Sequence, residues 1–396
     1  MVSTMRFQSL VSEHESTMSA VAEVVQQARE ADLGEADVAF VFFTPHHRDE
    51  ADAMAEQLWL ELDPQCVVGC SAESVIGADR EIEQRPGLAV LAARMPGVRI
   101  HPFHIPTDEW NHILEDPAML TERIGYGEET RAVIGFGDPW TTPLNPLLHA
   151  FDQHLSGAPL TGGLASAARS AGGNVVIRND QTFNEGFVGA SLSGPIRVQT
   201  VVSQGCRPIG QRFVITKAHD NVIETLGGKP ALGALHDVVS ALPVEDRRLL
   251  RNGLFVGRAI SEYRETFGRG DFLVRNIMGV DDKAGTIAMG DYVRVGQTVQ
   301  FHVRDADTAD EDLRAMLENV RATEGDAPAG ALLFNCNGRG TRLFLDQPCH
   351  DVNVARQFLP GTAIAGFFAG GEIGPVGGKN FVHGHTASFA LFRPAE

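Results

Sequence analysis

The chain has 396 residues, 43% of them hydrophobic and 21% charged, and a formal net charge of −18. That length allows two or three domains with substantial cores, and the composition is that of an ordinary soluble protein. The acidity argues against a nucleic-acid partner, which needs a basic face, and against docking on an anionic membrane by charge.

No apolar run of about 18 residues is present, which excludes a membrane-spanning helix on length. The opening residues, MVSTMRFQSLVSEHEST (1–17), hold no continuous apolar stretch of the signal-peptide kind. The cysteines, Cys66, Cys70, Cys206, Cys336 and Cys349, are an odd set without pairing signals. Reduced thiols in a cytoplasmic protein are the expectation.

In chain order, SAVAEVVQQAREA (19–31) comes first, with Val21, Val24, Val25 and Ala28 on one face, which predicts a helix. A repeated pattern follows. VAFVFFTP (38–45) leads through a helical stretch, 49–62, to CVVGCSAES (66–74). RAVIGFGDP (131–139) leads through NPLLHAFDQHL to PLTGGLASA (159–167). GALLFNCNG (330–338) leads through DVNVARQFL to AIAGFFAGGE (363–372). Each is an apolar strand, a polar turn, a helix and a second strand ending in glycine and small residues.

A third strand follows each copy: GLAVLAARM, GFVGASLSG and HTASFALF. After the first two copies comes one more, VRIHPFHI (98–105) and IRVQTVVSQ (196–204). The strands from 175 to 215 are closely spaced, which predicts antiparallel neighbours. Between the second and third copies lie helical runs at 231–242 and 245–253, three further strands and an amphipathic helix at 309–322.

Continuously apolar strands predict sheets covered on both faces. The fold expected is α/β, mixed α+β, in two lobes of helix-covered mixed sheets built from repeated strand-helix-strand-strand units. The glycine-rich TLGGKPALG (225–233) sets the boundary between a first domain, 37–228, and a second, 229–396, after an N-terminal helical extension, 1–36.

The chemistry concentrates near the C-terminus. GFFAGGEIGPVGGKNFVHGHTASFALF (366–392) packs seven glycines around Glu372, His383 and His385. The two histidines, at i and i+2, would share one face of a strand. Glycine at this density marks a backbone that another group approaches closely. Arg339, in the loop after the strand carrying Cys336, can clamp a carboxylate with two parallel hydrogen bonds. Glu372 can take an ammonium group, so the set suits an amino acid; an ion pair bracing two loops is the plainer alternative.

Asn337, Ser71 and Arg207 are further candidate ligand contacts at strand ends, although a turn arginine on the surface explains Arg207 as well. Cys336 is the best-placed nucleophile, with His383 or His385 as base, against the alternative of a packed strand-end thiol. No Walker motif, GxGxxG strand-to-helix turn, GxSxG elbow, CxxC pair or HExxH is present, so no nucleotide or metal cofactor is expected.

The elements LFNCNGRG (333–340), GEIGP (371–375) and HGHT resemble the C-terminal FIST domain, and VVGCSAESVIG (67–77) and VSQGCRPIG (202–210) resemble the N-terminal FIST domain. The resemblance spans the chain from about residue 37 onward. It implies a sensory domain that binds a small molecule such as an amino acid, with signal output through a separate protein. It implies no settled catalytic mechanism. Two other functions stay open: a thiol-dependent acyl-transferase or hydrolase using Cys336, and a protein-interaction module like the FIST part of F-box proteins.

Overall fold

A computed structural model describes residues 5–31, 33–155, 157–263, 266–268 and 270–395. Two compact units divide the chain: Met1–Val202 with Arg314–Val382 and Thr386–Glu396, and Ser203–Leu313 with His383–His385.

The first unit opens with strand β1 (Arg6–Ser12) and helix α1 (Thr17–Glu30). The Ser16 hydroxyl caps α1 by accepting from the Ser19 N–H, and its buried stripe is Ala20, Val21, Val24 and Val25. Then come β2 (Val38–Phe43), α2 (Ala51–Leu62), β3 (Cys66–Ser71), the hairpin β4 (Ser74–Gly77) and β5 (Arg80–Glu83), and β6 (Leu88–Arg94). Strand β7 (Arg99–Ile105) is followed by α3 (Trp110–Glu115) and α4 (Pro117–Arg123). The second copy is β8 (Thr130–Gly137), α5 (Leu144–His154), β9 (Leu160–Leu164), the hairpin β10 (Val176–Arg178) and β11 (Gln181–Phe183), and β12 (Phe187–Ser193), with β13 (Ile196–Gln204) after it.

The second unit holds β14 (Cys206–His219), β15 (Val222–Leu226), β16 (Lys229–Pro230), α6 (Ala231–Ala241), α7 (Val244–Leu249), β17 (Leu254–Ala259), β18 (Phe272–Asp281), β19 (Thr286–Met289) and β20 (Thr298–Arg304). Their order is β14-β20-β17-β18-β19-β15-β16, and β14 also pairs with β15, so six strands close into a barrel with no free edge. The long β14 shifts register between Ile209 and Phe213, pairing with β20 from Cys206 to Val214 and with β15 from Ile215 onward. Helix α6 contributes Leu232, Leu235 and Val238 to a core shared with Ile215, Val256 and Phe301.

The chain resumes with α8 (Ala306–Glu324), β21 (Gly330–Cys336), α9 (His350–Phe358), β22 (Ala363–Ala369), the hairpin β23 (Glu372–Val376) and β24 (Lys379–His383), and β25 (Thr386–Pro394).

The three six-stranded sheets have one plan. Their orders are β1-β6-β2-β3-β10-β11, β7-β12-β8-β9-β23-β24 and β13-β25-β21-β22-β4-β5. At the centre of each, a strand pairs parallel with its partner across the helix and antiparallel with the last strand of its copy. The hairpins are exchanged in a ring: that of the first copy joins the third sheet, that of the second joins the first, and that of the third joins the second. The strand before each copy (β1, β7, β13) pairs with that copy's last strand.

Several expectations change accordingly. The extension 1–36 supplies a sheet strand as well as its helix. Strands β7 and β13 lead the copy after them instead of closing the one before. Consecutive strands between 175 and 215 pair with each other only as β10 with β11, since β12 and β13 belong to different sheets. The stretch at 225–233 forms the β15–β16 turn inside the barrel, while the barrel itself is inserted between β13 and α8 of the third copy. The compact units therefore cut the chain elsewhere than at 228/229.

Phe42, Phe136 and Phe334 occupy the same register in β2, β8 and β21 and face a common core. Their rings meet edge-on, Phe42 to Phe136 at 5.3 Å and Phe136 to Phe334 at 6.1 Å, an arrangement aromatic quadrupoles favour. The residue before each phenylalanine faces a glycine on the parallel neighbour: Gly69, Gly162 and Gly366. A Cβ there would stand 1.8 Å from the carbonyl oxygen of Val41, Gly135 or Leu333. Only glycine lets these backbones approach.

Candidate functional site: the strand ends of the third copy

At the residue after the phenylalanine's successor, the copies diverge. The first copy has Thr44, whose hydroxyl accepts from the Gly87 N–H. The second has Asp138, which accepts from Asn174, Trp140 and Thr141. Both bond groups of their own copy. The third has Cys336, half-buried at the end of β21.

The turn after Cys336 folds back tightly, the Arg339 N–H donating to the Cys336 carbonyl at 2.8 Å and the Asn337 N–H to the Ala369 carbonyl at 3.2 Å. Gly340 follows with φ 58°, where a Cβ would stand 2.7 Å from the Glu83 carboxyl. That carboxyl accepts from the Thr341 N–H and hydroxyl, which ties the loop to the hairpin lent by the first copy.

Arg339 is 1% exposed. Its Nε and Nη2 donate to the two carboxylate oxygens of Asp351, each at 2.7 Å. This is the bidentate geometry expected of it, made with a carboxylate of its own chain at the start of α9. His350 lies 2.9 Å from the same carboxylate through Nδ1, and its ring stacks on Phe344 at 3.5 Å. Burial works against the charge on Asp351, but Arg339 and His350 outweigh it and hold the carboxyl well below the usual carboxylate range. Burial likewise opposes the charge on Arg339, and Asp351 more than restores it.

Glu81 and Glu372, in the same unit, are also buried without a cation of their own. Glu81 accepts from the Val352 N–H through Oε1, while Oε2 has no partner. Burial, reinforced by the Asp351 charge, pushes its carboxyl up to about 8. Glu372, opposite Gly163 at the start of β23, accepts from the Thr386 hydroxyl at 2.6 Å and the Thr386 N–H at 3.2 Å, both through Oε2. Burial pushes it too up to about 8, against the opposing pull of Thr386, Arg339 and a hydrogen bond with the Cys336 thiol. Both groups are therefore shifted toward the protonated form near pH 7.

Around Glu372 lies a patch of buried polar atoms without hydrogen-bond partners. They are Glu372 Oε1, Arg339 Nη1, Asn337 Oδ1, Thr161 Oγ1 and Ser388 Oγ. Thr161 shares a face of β9 with Gly163, and Ser388 shares a face of β25 with Thr386. Folded proteins rarely leave such groups bare, because each costs about 1–3 kcal/mol. Several on adjoining strand ends make this the candidate place for something polar to enter.

The structure thus brings Cys336, Asn337, Arg339 and Glu372 to one region of the first unit. Ser71 is also in that unit but braces a turn, its hydroxyl accepting from the Val175 N–H at 2.8 Å. Arg207 belongs to the barrel, where it bonds Asp246 at 2.8 Å and Asp305 at 3.0 Å. His383 ends β24, whereas His385 lies beyond the strand with φ 64°, so the two do not share a strand face. His385 packs on Phe255 at 4.2 Å and bonds Asn276 at 3.1 Å.

Among the described residues, no three His, Cys, Asp or Glu side chains are grouped as a metal ion requires. Asp351, Glu81, Thr386, Thr161 and Ser388 went unnoticed in the sequence. Asp351 had the clearest signal, an acid in the first turn of the helix after the arginine loop.

A cyanuric acid hydrolase from A. caulinodans aligns with 99% of this chain and 100% of its own, at 9% identity and a TM-score of 0.36, too slight a likeness to bear on fold or chemistry. An uncharacterized protein of Mycobacterium tuberculosis H37Rv is 37% identical over 378 residues, covering 94% of this chain and 96% of the relative. An uncharacterized protein of Mycobacterium bovis is 37% identical over 375 residues, covering 94% and 95%. The FIST N domain model matches residues 37–229 and the FIST C domain model residues 231–375. With the two domain models side by side and relatives matched nearly end to end, the chain belongs to the FIST family.

Proposed function

We propose that this FIST protein is a cytoplasmic sensor of a small polar metabolite, an amino acid being the first candidate, and that it signals through a separate protein. The ligand seats at the strand ends of the third copy, against Glu372, Cys336, Asn337 and the remaining nitrogen of Arg339. One observation carries the reading: several bare buried polar atoms at these strand ends, among them Glu372 Oε1, Arg339 Nη1 and Asn337 Oδ1, against one, His47 Nε2, in the turn after β2 and none in the turn after β8. A ligand ammonium at Glu372 Oε1 would favour the ionised carboxylate, its proton passing to water, and form a charge-assisted bond. A ligand carboxylate would take the Nη1 that Asp351 leaves over.

A thermal-shift screen of the twenty amino acids tests this. Binding to the native state raises the midpoint in proportion to RT ln(1 + [L]/Kd), about 2.7 kcal/mol at a hundredfold excess over Kd. At least one amino acid is expected to stabilise the protein, and Glu372→Gln to abolish that shift. A screen in which nothing shifts the midpoint contradicts the reading.

A further inference from the structure

Cys336 and Glu372 stand together in a way that simple binding does not use. Thr386 occupies Oε2 of Glu372 and Oε1 has no hydrogen-bond partner, while Cys336, one residue beyond the Asn335 that pairs with Ala387, stands beside Thr386 and so beside this carboxyl. Cys336 is half-buried, while Cys66, Cys70 and Cys206 are sealed in the core. A neutral carboxylic acid both donates and accepts a proton. Beside a thiol it is suited to an addition in which one oxygen relays a proton.

Resting on the ligand site proposed above, we propose that Cys336 and Glu372 form a reversible covalent capture site for a small carbonyl compound such as an aldehyde or 2-oxo acid. As the sulfur–carbon bond forms, the carbonyl π bond breaks. Its oxygen takes the proton from Glu372 Oε1, and Oε1 takes the thiol proton in exchange. The carboxyl ends as it began, no oxidant or reductant is consumed, and the hemithioacetal reverts along the same path. Thiol–disulfide exchange needs a thiolate instead, which a neutral acid does not promote.

Burial supports the step by keeping Glu372 protonated up to about pH 8. It also separates this chemistry from ordinary thiol reactivity, which rises with pH as thiolate forms. The capture rate should fall above pH 8.

The test is carbon-13 NMR of the full chain with carbon-13-labelled glyoxylate at pH 6.5. The wild-type protein should show a hemithioacetal resonance that Cys336→Ser lacks. Adduct formation should slow at least tenfold in Glu372→Gln. Should that variant fail to fold, the wild type moved to pH 9.5 should show the same slowing. A wild-type protein without adduct, or one that reacts faster at pH 9.5 than at 6.5, overturns the proposal.

Thermal shift of Cys336→Ser with glyoxylate tells the two readings apart. A shift there with no adduct in the wild type defeats covalent capture and leaves the binding site standing. Neither shift nor adduct, together with an amino-acid screen that shifts nothing, defeats both.

Discussion

An unfolded glutamate titrates at about 4.3, whereas Glu372 and Glu81 are held up to about 8 in the fold. Between those values the native state keeps protons that the unfolded state releases. Stability therefore falls as pH rises through that window and levels off above about 8. Each group contributes a slope of up to about 1.4 kcal/mol per pH unit. Asp351 acts in the opposite sense, but its loss is confined to strong acid, where Arg339 can no longer hold it ionised. Urea unfolding of Glu372→Gln from pH 5 to 9 should show a shallower decline than the wild type, with the variant the more stable of the two at pH 9. Parallel curves would mean that Glu372 is already ionised in the fold. At this scale the sequence was informative about which residues matter and silent about their partners. Arg339 and Glu372 were visible as a cation and an acid in glycine-rich loops. That Asp351 would claim the arginine, leaving the glutamate to a threonine and a thiol, depends on packing across elements far apart in the chain.

Among the elements, the three central strand pairs share a requirement that the sequence showed only as glycine content. At Gly69, Gly162 and Gly366 any side chain would meet a backbone carbonyl at 1.8 Å, and backbone in a sheet centre cannot retreat. Alanine at any one of them should cost at least about 3 kcal/mol in denaturant unfolding, or abolish soluble expression. Alanine at Gly279 on β18, where a Cβ meets nothing within 4 Å, should stay within about 0.5 kcal/mol. Three small effects at the buried glycines would show that the sheets open more readily than their packing implies. The repeated strand-helix-strand pattern was legible because apolar runs and helix periods are local signals. The short hairpins were not, since REIE in β5 or QTF in β11 acquires its place only by pairing with a strand from another copy.

For the whole molecule, exchanged hairpins mean that no copy in the first unit completes its own sheet. Each depends on a neighbour for two strands, and the strand preceding each copy closes the opposite edge. The duplicated units expected from the sequence are there, yet their division into 37–228 and 229–396 is not the division into compact bodies, because the barrel interrupts the third copy. Sequence order hides an insertion when both halves of the interrupted copy look like ordinary strands. Threefold repetition also sharpens the functional question. Turns of equal position carry Thr44, Asp138 and Cys336, and only the last borders a neutral buried acid with a bare oxygen. The most direct test is titration calorimetry of the intact chain with the amino acid that stabilises it best. We expect a single site per chain, whose heat disappears in Glu372→Gln. Three sites per chain, or an isotherm that this substitution leaves unchanged, would contradict the account.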